Sequence, residues 1–209
     1  MNFLGHIYLS GSNEEVLLGN FSGDFLKGRT HQKYPPDFQK GVKIHRAIDT
    51  YTDHHSSVLK LNRLFYEKYH KYSGVIVDVA FDHMLGKTWA LFSKRDLYEF
   101  IGEKHEILNR RIEETPLKVQ KMIPSFIHKK WLETYQTVDG LELVYSRMAL
   151  RTSLPAFSGF AVKTIRDNYN LFLDEFVLFF EDIIKHISTK FEIEFDVPGD
   201  CNEQSESAK

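Results

Sequence analysis

Histidine and aspartate side chains recur in this chain within segments that are otherwise apolar. His6 lies in NFLGHIYL, and Asp24 lies in LGNFSGDFLKG, where Gly19 and Gly23 permit close approach of the backbone. An ionisable group buried without a partner costs at least a few kcal/mol, so such groups normally have a polar partner or a metal. Each residue also has a plainer interpretation, His6 as a hydrogen-bonded core histidine and Asp24 as the cap of a helix beginning at Phe25.

A second group lies in KIHRAIDTYTDHH, where His45, Asp49 and Asp53 follow one another at intervals of four residues. On an α-helix this spacing projects the three side chains from nearly one face, about 40° apart at each step. The alternative is an exposed helix face, on which Arg46 and one of the carboxylates form a solvent ion pair that contributes little.

A third group, in VDVAFDHML, combines Asp78, Asp82 and His83. The two aspartates share a helix face, and His83 directly follows Asp82 in the sequence. Valine, isoleucine, phenylalanine and methionine surround them, which favours a functional role over an exposed helix face.

These side chains together suit a site for a divalent metal ion such as Mn²⁺, Mg²⁺, Fe²⁺ or Zn²⁺, with oxygen and imidazole ligands from several helices. A metal there would polarise a phosphoryl oxygen and supply hydroxide at neutral pH. Cysteine ligation is not expected, because the single cysteine, Cys201, lies in a polar segment. The chain has no glycine-rich phosphate loop, no G-x-S-x-G elbow and no H-E-x-x-H pair.

The elements expected to position these residues are helices, so the fold class is all-α, a single-domain helical bundle. Ser12 to Glu15 reads as a helix start, Asp96 as a cap, and residues 53–57 as an interruption of a long helix over 37–70. We expect helices over 74–92 and 141–150, a short segment bracketed by Pro116 and Pro124, a final helix over 160–187, and an extended piece over 191–198. Residues 1–198 are predicted to form one hydrolase domain, and 199–209 a polar tail.

The composition of the chain indicates which binding partners and which cellular location to expect. The formal net charge of −2 argues against a strong whole-chain attraction to nucleic acid or anionic lipid. No window approaches 18 uninterrupted apolar residues, so we expect no membrane span. The N-terminus lacks the charge and apolar run of a signal peptide, and the lone cysteine fits a reducing compartment, so we expect a cytoplasmic location. The sequence does not specify the oligomeric state.

Several long motifs resemble the acyl carrier protein phosphodiesterase (acyl carrier protein hydrolase) family. They are MNFLGHIYLS, LLGNFSGDFLKG, YPPDFQKGVKIHRAIDTYTDHH and VDVAFDHMLGKTW, followed more loosely by KWLETY and LVYSRMALRTSLP. They occur in the family's order over roughly residues 1–155, and the last helix matches only in character. The resemblance implies a divergent member of the HD phosphohydrolase superfamily, with an HD-domain-like helical fold and a divalent cation, typically manganese. It also implies hydrolysis of the phosphodiester that joins 4′-phosphopantetheine to a serine of holo acyl carrier protein.

The resemblance also implies roles for the residues on its motifs. The expected metal ligands are His6, Asp24, His45, Asp49 and Asp82. His83 is expected to be a general acid or an outer-sphere donor, with His45 able to exchange roles with it and Asp49 as a further catalytic candidate. Asp53 and Asp78 are expected to orient imidazoles. The usual HD signature places histidine before aspartate, whereas the adjacent pair here, Asp82-His83, is reversed, so superfamily ligand roles do not transfer directly.

Basic residues offer a way to bind the substrate. Arg147 and Arg151, spaced i, i+4, and Arg46 with Lys43 are predicted to meet substrate phosphate, since the arginine fork suits phosphate oxygens. A basic patch of Lys27, Arg29, Lys43 and Arg46 would favour docking of a strongly acidic carrier protein. The alternative for these residues is a solvated basic face.

Two other functions remain open at the level of sequence. The same site could hydrolyse a nucleotide or another small phosphodiester. Alternatively, the chain could be a non-catalytic module that binds carrier protein, with a vestigial or structural metal cluster.

Overall fold

The described part of the chain, residues 2–198, consists of helices and the loops that join them. In this computed structural model no strand occurs among those residues, which confirms the all-α prediction. The α-helices are α1 (Phe3–Tyr8), α2 (Glu14–Phe21), α3 (Pro36–His54), α4 (Ser56–Asn62), α5 (Tyr66–Tyr69), α6 (Ser73–Lys87), α7 (Trp89–Phe92), α8 (Leu97–Arg110), α9 (Leu117–His128), α10 (Trp131–Thr134), α11 (Val138–Arg151), α12 (Ser158–Asp167) and α13 (Tyr169–Phe191). The 3₁₀ turns are Gly23–Phe25, Thr30–Lys33, His70–Tyr72 and Ile112–Glu114. The predicted tail, with Cys201, lies outside the described residues.

Helix caps appear largely where the sequence predicts them. The Asn13 side chain accepts hydrogen bonds from the N–H groups of Glu15 and Val16 at the start of α2, and Asp96 caps α8 in the same way. The predicted interruption between α3 and α4 is also present. Its capping acceptor is the His55 ring, which accepts a hydrogen bond from the Ser57 N–H.

Several predicted helix boundaries are wrong. The helix predicted over 74–92 divides into α6 and α7 at Thr88, and the helix predicted to residue 70 is also broken at 63–65. Two other differences have clear physical reasons. The final helix divides into α12 and α13 at Asn168, whose side-chain amide donates back to the carbonyl of Thr164. Helix α9 continues through Pro124, which was expected to end it, because buried Ile123 and Phe126 hold both sides of the proline in the core. The predicted extended piece after α13 contains no strand within residues 192–198.

One hydrophobic core runs through the described residues, and α6 and α13 cross it. Their buried faces include Val77, Phe81, Phe172, Phe176 and Phe180. The aromatic stripe of α13 is therefore core, as its spacing predicts. None of the described helices has the length and apolar character needed to cross a membrane.

Helices α2 and α3 pack at very close range, which brings α3 up to the N-terminal helices. A Cβ atom on Gly19 would lie 2.0 Å from the Phe38 carbonyl oxygen, and one on Gly41 would lie 2.1 Å from the Val16 carbonyl oxygen. Glycine is needed at both positions because any side chain would collide with backbone. This crossing sets the middle of α3 beside α1 and the end of α2.

Candidate metal centre

Three of the predicted ligands converge where α1 meets α3. His6 Nε2 lies 3.2 Å from one carboxylate oxygen of Asp49, and His45 Nε2 lies 3.2 Å from the other. The two imidazole rings stack with centroids 4.2 Å apart. One donor atom from each of these three residues lies within 4.8 Å of the others, a spacing that suits ligands of one metal ion.

Asp24 adds a second carboxylate on the open side of this cluster. It sits in the 3₁₀ turn after α2, and its oxygen lies 3.3 Å from His45 Nε2. Its side chain is 73% exposed, compared with 43% for Asp49. The hydrogen bond from His45 holds the pKa of Asp24 below its usual range, so this carboxylate is ionised at neutral pH.

Asn20 fixes the tautomer of His6. Its amide nitrogen donates to the His6 carbonyl and to the Ser10 hydroxyl, so its oxygen must face His6 Nδ1, which lies 2.9 Å away. Nδ1 therefore carries the proton, and Nε2 of the neutral ring presents a lone pair to Asp49. Burial lowers the pKa of His6, which keeps this ring neutral at pH 7.

The lone pair of His6 Nε2 and the Asp49 carboxylate face each other with no proton to share. A divalent cation between the nitrogen and the oxygen would satisfy both acceptors. The residues present therefore fit a metal ion on their own chemistry.

Gly23 leaves room for the ring of His45. A Cβ at this position would lie 2.1 Å from His45 Cγ and 2.6 Å from Nδ1, so the ring packs directly on the glycine backbone. His45 Nδ1 is buried and has no hydrogen-bond partner among the described residues. The close packing, in place of a hydrogen bond, therefore sets the direction of Nε2.

The cluster opens into a cavity of about 440 Å³. Asp53 and Asp78 line it together with the four residues above, so six of the predicted polar residues share one cavity. Burial raises the pKa of Asp53, and the neighbouring charge of Asp78 raises it further. The rest of the lining is Asn2, Phe3, Asn20, Phe21, Thr52, Val75, Val79 and Met148.

Asp82, predicted as a metal ligand, does not lie in this cavity. It is fully buried, and its two oxygens accept the N–H groups of Leu4 and Gly5 at 2.7 and 3.1 Å. Both oxygens are thus used to cap α1 and to tie it to α6. The structure corrects the ligand assignment, because the polar partner of this acid is backbone.

His83, predicted as a general acid, is also engaged elsewhere. Its Nδ1 lies 2.8 Å from the Tyr135 carbonyl, and its Nε2 lies 3.0 Å from the Tyr169 hydroxyl. Burial lowers its pKa, so the ring is a neutral bridge between α6, α10 and α13. The structure therefore does not support the predicted role of His83 as a general acid.

The three predicted phosphate-binding arginines do not line the metal cavity. The Arg46 guanidinium donates to the carbonyls of Leu26 and Gly28, and with Lys43 it borders another cavity, on the opposite face of α3. Arg147 and Arg151 line a neighbouring cavity between α1, α10 and α11. Lys27 borders a surface cavity that includes Asp24, so the four predicted basic-patch residues do not share one cavity.

Asn20 was missed at the level of sequence, although it determines the His6 tautomer. The available signal was a polar residue inside the apolar run VLLGNF, the same kind of signal that identified His6 and Asp24. Asn2, Phe3 and Met148 were missed because nothing in their local sequence distinguishes them from ordinary helix positions.

The chain matches a family model described as acyl carrier protein phosphodiesterase over residues 1–183. The protein belongs to this family. The match extends into α13, beyond the motifs that carry the resemblance in sequence.

Curated relatives carry the same family name. The chain is 29% identical over 192 residues to the acyl carrier protein phosphodiesterase of Yersinia pestis. The aligned region covers 91% of this chain and 99% of that protein. It is 31% identical over 152 residues to the enzyme of Salmonella agona, covering 72% and 79% of the two chains. No solved structure matches the chain at a significant level. The relation of this phosphodiesterase family member to HD phosphohydrolases stays a prediction.

Replacing Gly23 with alanine is expected to weaken metal binding at least about tenfold, or about 1.4 kcal/mol. The added methyl group must displace the buried His45 ring, so that its Nε2 no longer faces the carboxylates of Asp49 and Asp24. Isothermal titration with Mn²⁺ measures the loss. Gly102→Ala is the matched control, since a Cβ there meets nothing within 4 Å. Equal affinities for the two variants would show that the ring does not ligate the metal.

Proposed function

We propose that this protein hydrolyses the phosphodiester between 4′-phosphopantetheine and a serine of holo acyl carrier protein, releasing the apo protein and 4′-phosphopantetheine. The observation that carries the proposal is the convergence of His6, His45 and Asp49 at an open cavity, in a chain of the phosphodiesterase family. A cytoplasmic site of action belongs to the same proposal.

Four side chains would hold the metal: His6, His45, Asp49 and Asp24. Two imidazole nitrogens with two carboxylates suit Mn²⁺, Fe²⁺ or Zn²⁺ better than Mg²⁺ or Ca²⁺, which prefer all-oxygen sites. We propose manganese as the natural ion. A divalent cation in this position supplies positive charge that polarises the phosphoryl oxygen and activates water.

The chain's own residues prepare that chemistry. The Asn20 hydrogen bond and the Gly23 contact aim the two imidazole nitrogens before any ligand arrives. The pKa values of His6 and Asp24 are lowered, so at neutral pH the His6 ring is neutral and Asp24 is ionised. The Nε2 proton that His45 donates to Asp24 would leave when a metal binds.

Proton delivery falls to Asp53 in this proposal. In the reaction a bond forms between phosphorus and a water oxygen, the bond from phosphorus to the serine oxygen breaks, and a proton goes to that serine oxygen. Asp53 lines the cavity one helical turn beyond Asp49, and its raised pKa suits a carboxyl group that donates a proton. This assignment replaces the predicted role of His83.

An acidic carrier protein would meet basic residues on both sides of the cavity mouth. Arg147 and Arg151 lie on the α11 side. Lys27, Lys33 and Lys118 border the surface cavity that includes Asp24, which Glu113 and Glu114 also line. Opposite charges of this kind favour encounter and orientation.

Purified protein incubated with holo carrier protein and Mn²⁺ is expected to convert it to the apo form. Mass spectrometry follows the loss of phosphopantetheine, and the same incubation with a chelator is expected to show none. Turnover of small phosphodiesters without turnover of carrier protein would instead favour a small-molecule phosphohydrolase. Binding of carrier protein and metal without any hydrolysis would indicate a binding module.

A further inference from the structure

We propose that a narrow cavity between α1, α10 and α11 binds the pantetheine arm of the substrate. This inference rests on the proposed function, because it takes the scissile phosphate to lie at the metal centre. It concerns residues outside that centre, and it assigns Arg147 and Arg151 a role other than the one predicted from sequence.

The cavity adjoins the metal centre. Its volume is about 200 Å³, and it shares Asn2, Phe3 and Met148 with the 440 Å³ cavity into which the ligands open. The two spaces are therefore adjacent, and in this proposal a molecule with its phosphate at the ligands extends past Phe3 and Met148 into the second space. Its remaining lining is Trp131, Thr134, Tyr135, Val144, Arg147, Arg151 and Thr152.

The walls match the chemistry of the arm from the phosphate outward. In pantetheine, a methylene group joins the phosphate ester oxygen to a carbon carrying two methyl groups, which would meet the apolar side chains of Phe3 and Met148. A hydroxyl-bearing carbon and two amide groups follow, and each amide nitrogen carries an ethylene unit that suits the faces of Trp131 and Val144. Mostly apolar walls with a few polar groups are the usual pattern of small-molecule sites.

The amide groups of the arm need hydrogen-bond partners, and the cavity supplies them. The hydroxyls of Thr134 and Thr152 donate to backbone carbonyls, so from the cavity lining they can accept from amide N–H groups. The Arg147 and Arg151 side chains border the cavity from successive turns of α11. Both arginines are exposed, and neither forms an ion pair with another described residue. Their guanidinium groups are therefore available to donate to amide carbonyls.

Filling the cavity gives a direct test. Val144→Phe places a ring inside it, whereas Leu143→Phe places the same ring on the adjacent, 44% exposed position of α11, outside the lining. Val144→Phe is expected to raise KM for holo carrier protein at least about tenfold, with hydrolysis of bis(p-nitrophenyl) phosphate changed by less than about twofold, since that diester has no arm. Leu143→Phe is expected to change neither. Equal effects of Val144→Phe on both substrates, or no effect on either, would overturn the proposal.

Binding of pantetheine itself supplies a readout that needs neither metal nor turnover. Trp131 lines the cavity, whereas Trp89, the other of the two tryptophans, packs on Tyr8 and Phe100. Pantetheine is expected to change tryptophan emission saturably in metal-free wild type and in Leu143→Phe, but not in Val144→Phe. This response in a protein that does not turn over carrier protein would refute the proposed function and leave the subsite standing. Turnover with no response to pantetheine would refute the subsite alone.

Discussion

Asp49→Asn is expected to abolish measurable binding of Mn²⁺ and to lower hydrolysis of holo carrier protein by about 10³-fold or more, equivalent to about 4 kcal/mol of transition-state stabilisation. Asp49 is the residue whose two oxygens face both imidazoles, each at 3.2 Å. The amide keeps the shape of the side chain but removes its negative charge and turns one oxygen into an N–H donor. That N–H would donate a hydrogen bond to the lone pair of one histidine. The hydrogen bond would then take the place of the metal ion.

Two further variants separate this loss from a general effect of charge. Asp174→Asn removes a carboxylate from the exposed face of α13 and is expected to change neither metal affinity nor rate. Asp53→Asn is expected to retain the metal and to slow hydrolysis of carrier protein, while sparing an activated diester whose leaving group needs no proton. Titration calorimetry and rate measurements on both substrates check these results. Undiminished Mn²⁺ binding by Asp49→Asn would remove this cluster as the metal centre.

The part of the centre carried by a single helix could be predicted from sequence. His45, Asp49 and Asp53 share a face of α3 because the helical period places residues four apart side by side, and no tertiary information is needed. His6 and Asp24 were identified by their apolar surroundings. Their distances from α3 depend on the Gly19 and Gly41 crossing, which local sequence does not reveal.

For Asp82 and His83, apolar surroundings do not indicate a metal site. A buried acid needs a partner, but the partner can be a backbone N–H as readily as a metal, and backbone donors leave no signature in a sequence. The first turn of α1 has free N–H groups that require acceptors, and Asp82 supplies them across 78 positions of chain. Only the packing of α6 against α1 distinguishes these two explanations.

Asp82→Ala is therefore expected to destabilise the fold by about 2–6 kcal/mol, since each buried N–H left unpaired costs about 1–3 kcal/mol. The N–H groups of Leu4 and Gly5 would both lose their acceptor in a fully buried position. Urea denaturation measures the free energy of unfolding, and Mn²⁺ titration of the folded variant measures what remains of the site. Because Asp82 acts on His6 only through α1, metal affinity should fall far less than in Asp49→Asn. A variant of unchanged stability that loses the metal completely would restore Asp82 as a ligand.

The dependence on pH tests the same assignment with a variant that keeps one acceptor, Asp82→Asn. Burial raises the pKa of Asp82 from 3.8 to about 7 in the folded protein. At a pH between these two values, Asp82 is protonated in the folded state and ionised in the unfolded chain. Wild type therefore loses stability relative to Asp82→Asn as the pH rises from about 4 to about 7, by at most about 4 kcal/mol, and the difference is constant above that range. Comparing the two proteins by urea denaturation at pH 5 and pH 8 isolates this group, because every other titrating residue is common to both. A difference that does not change with pH would mean that the two backbone hydrogen bonds keep Asp82 ionised in the core, and the cap would then be a charged one.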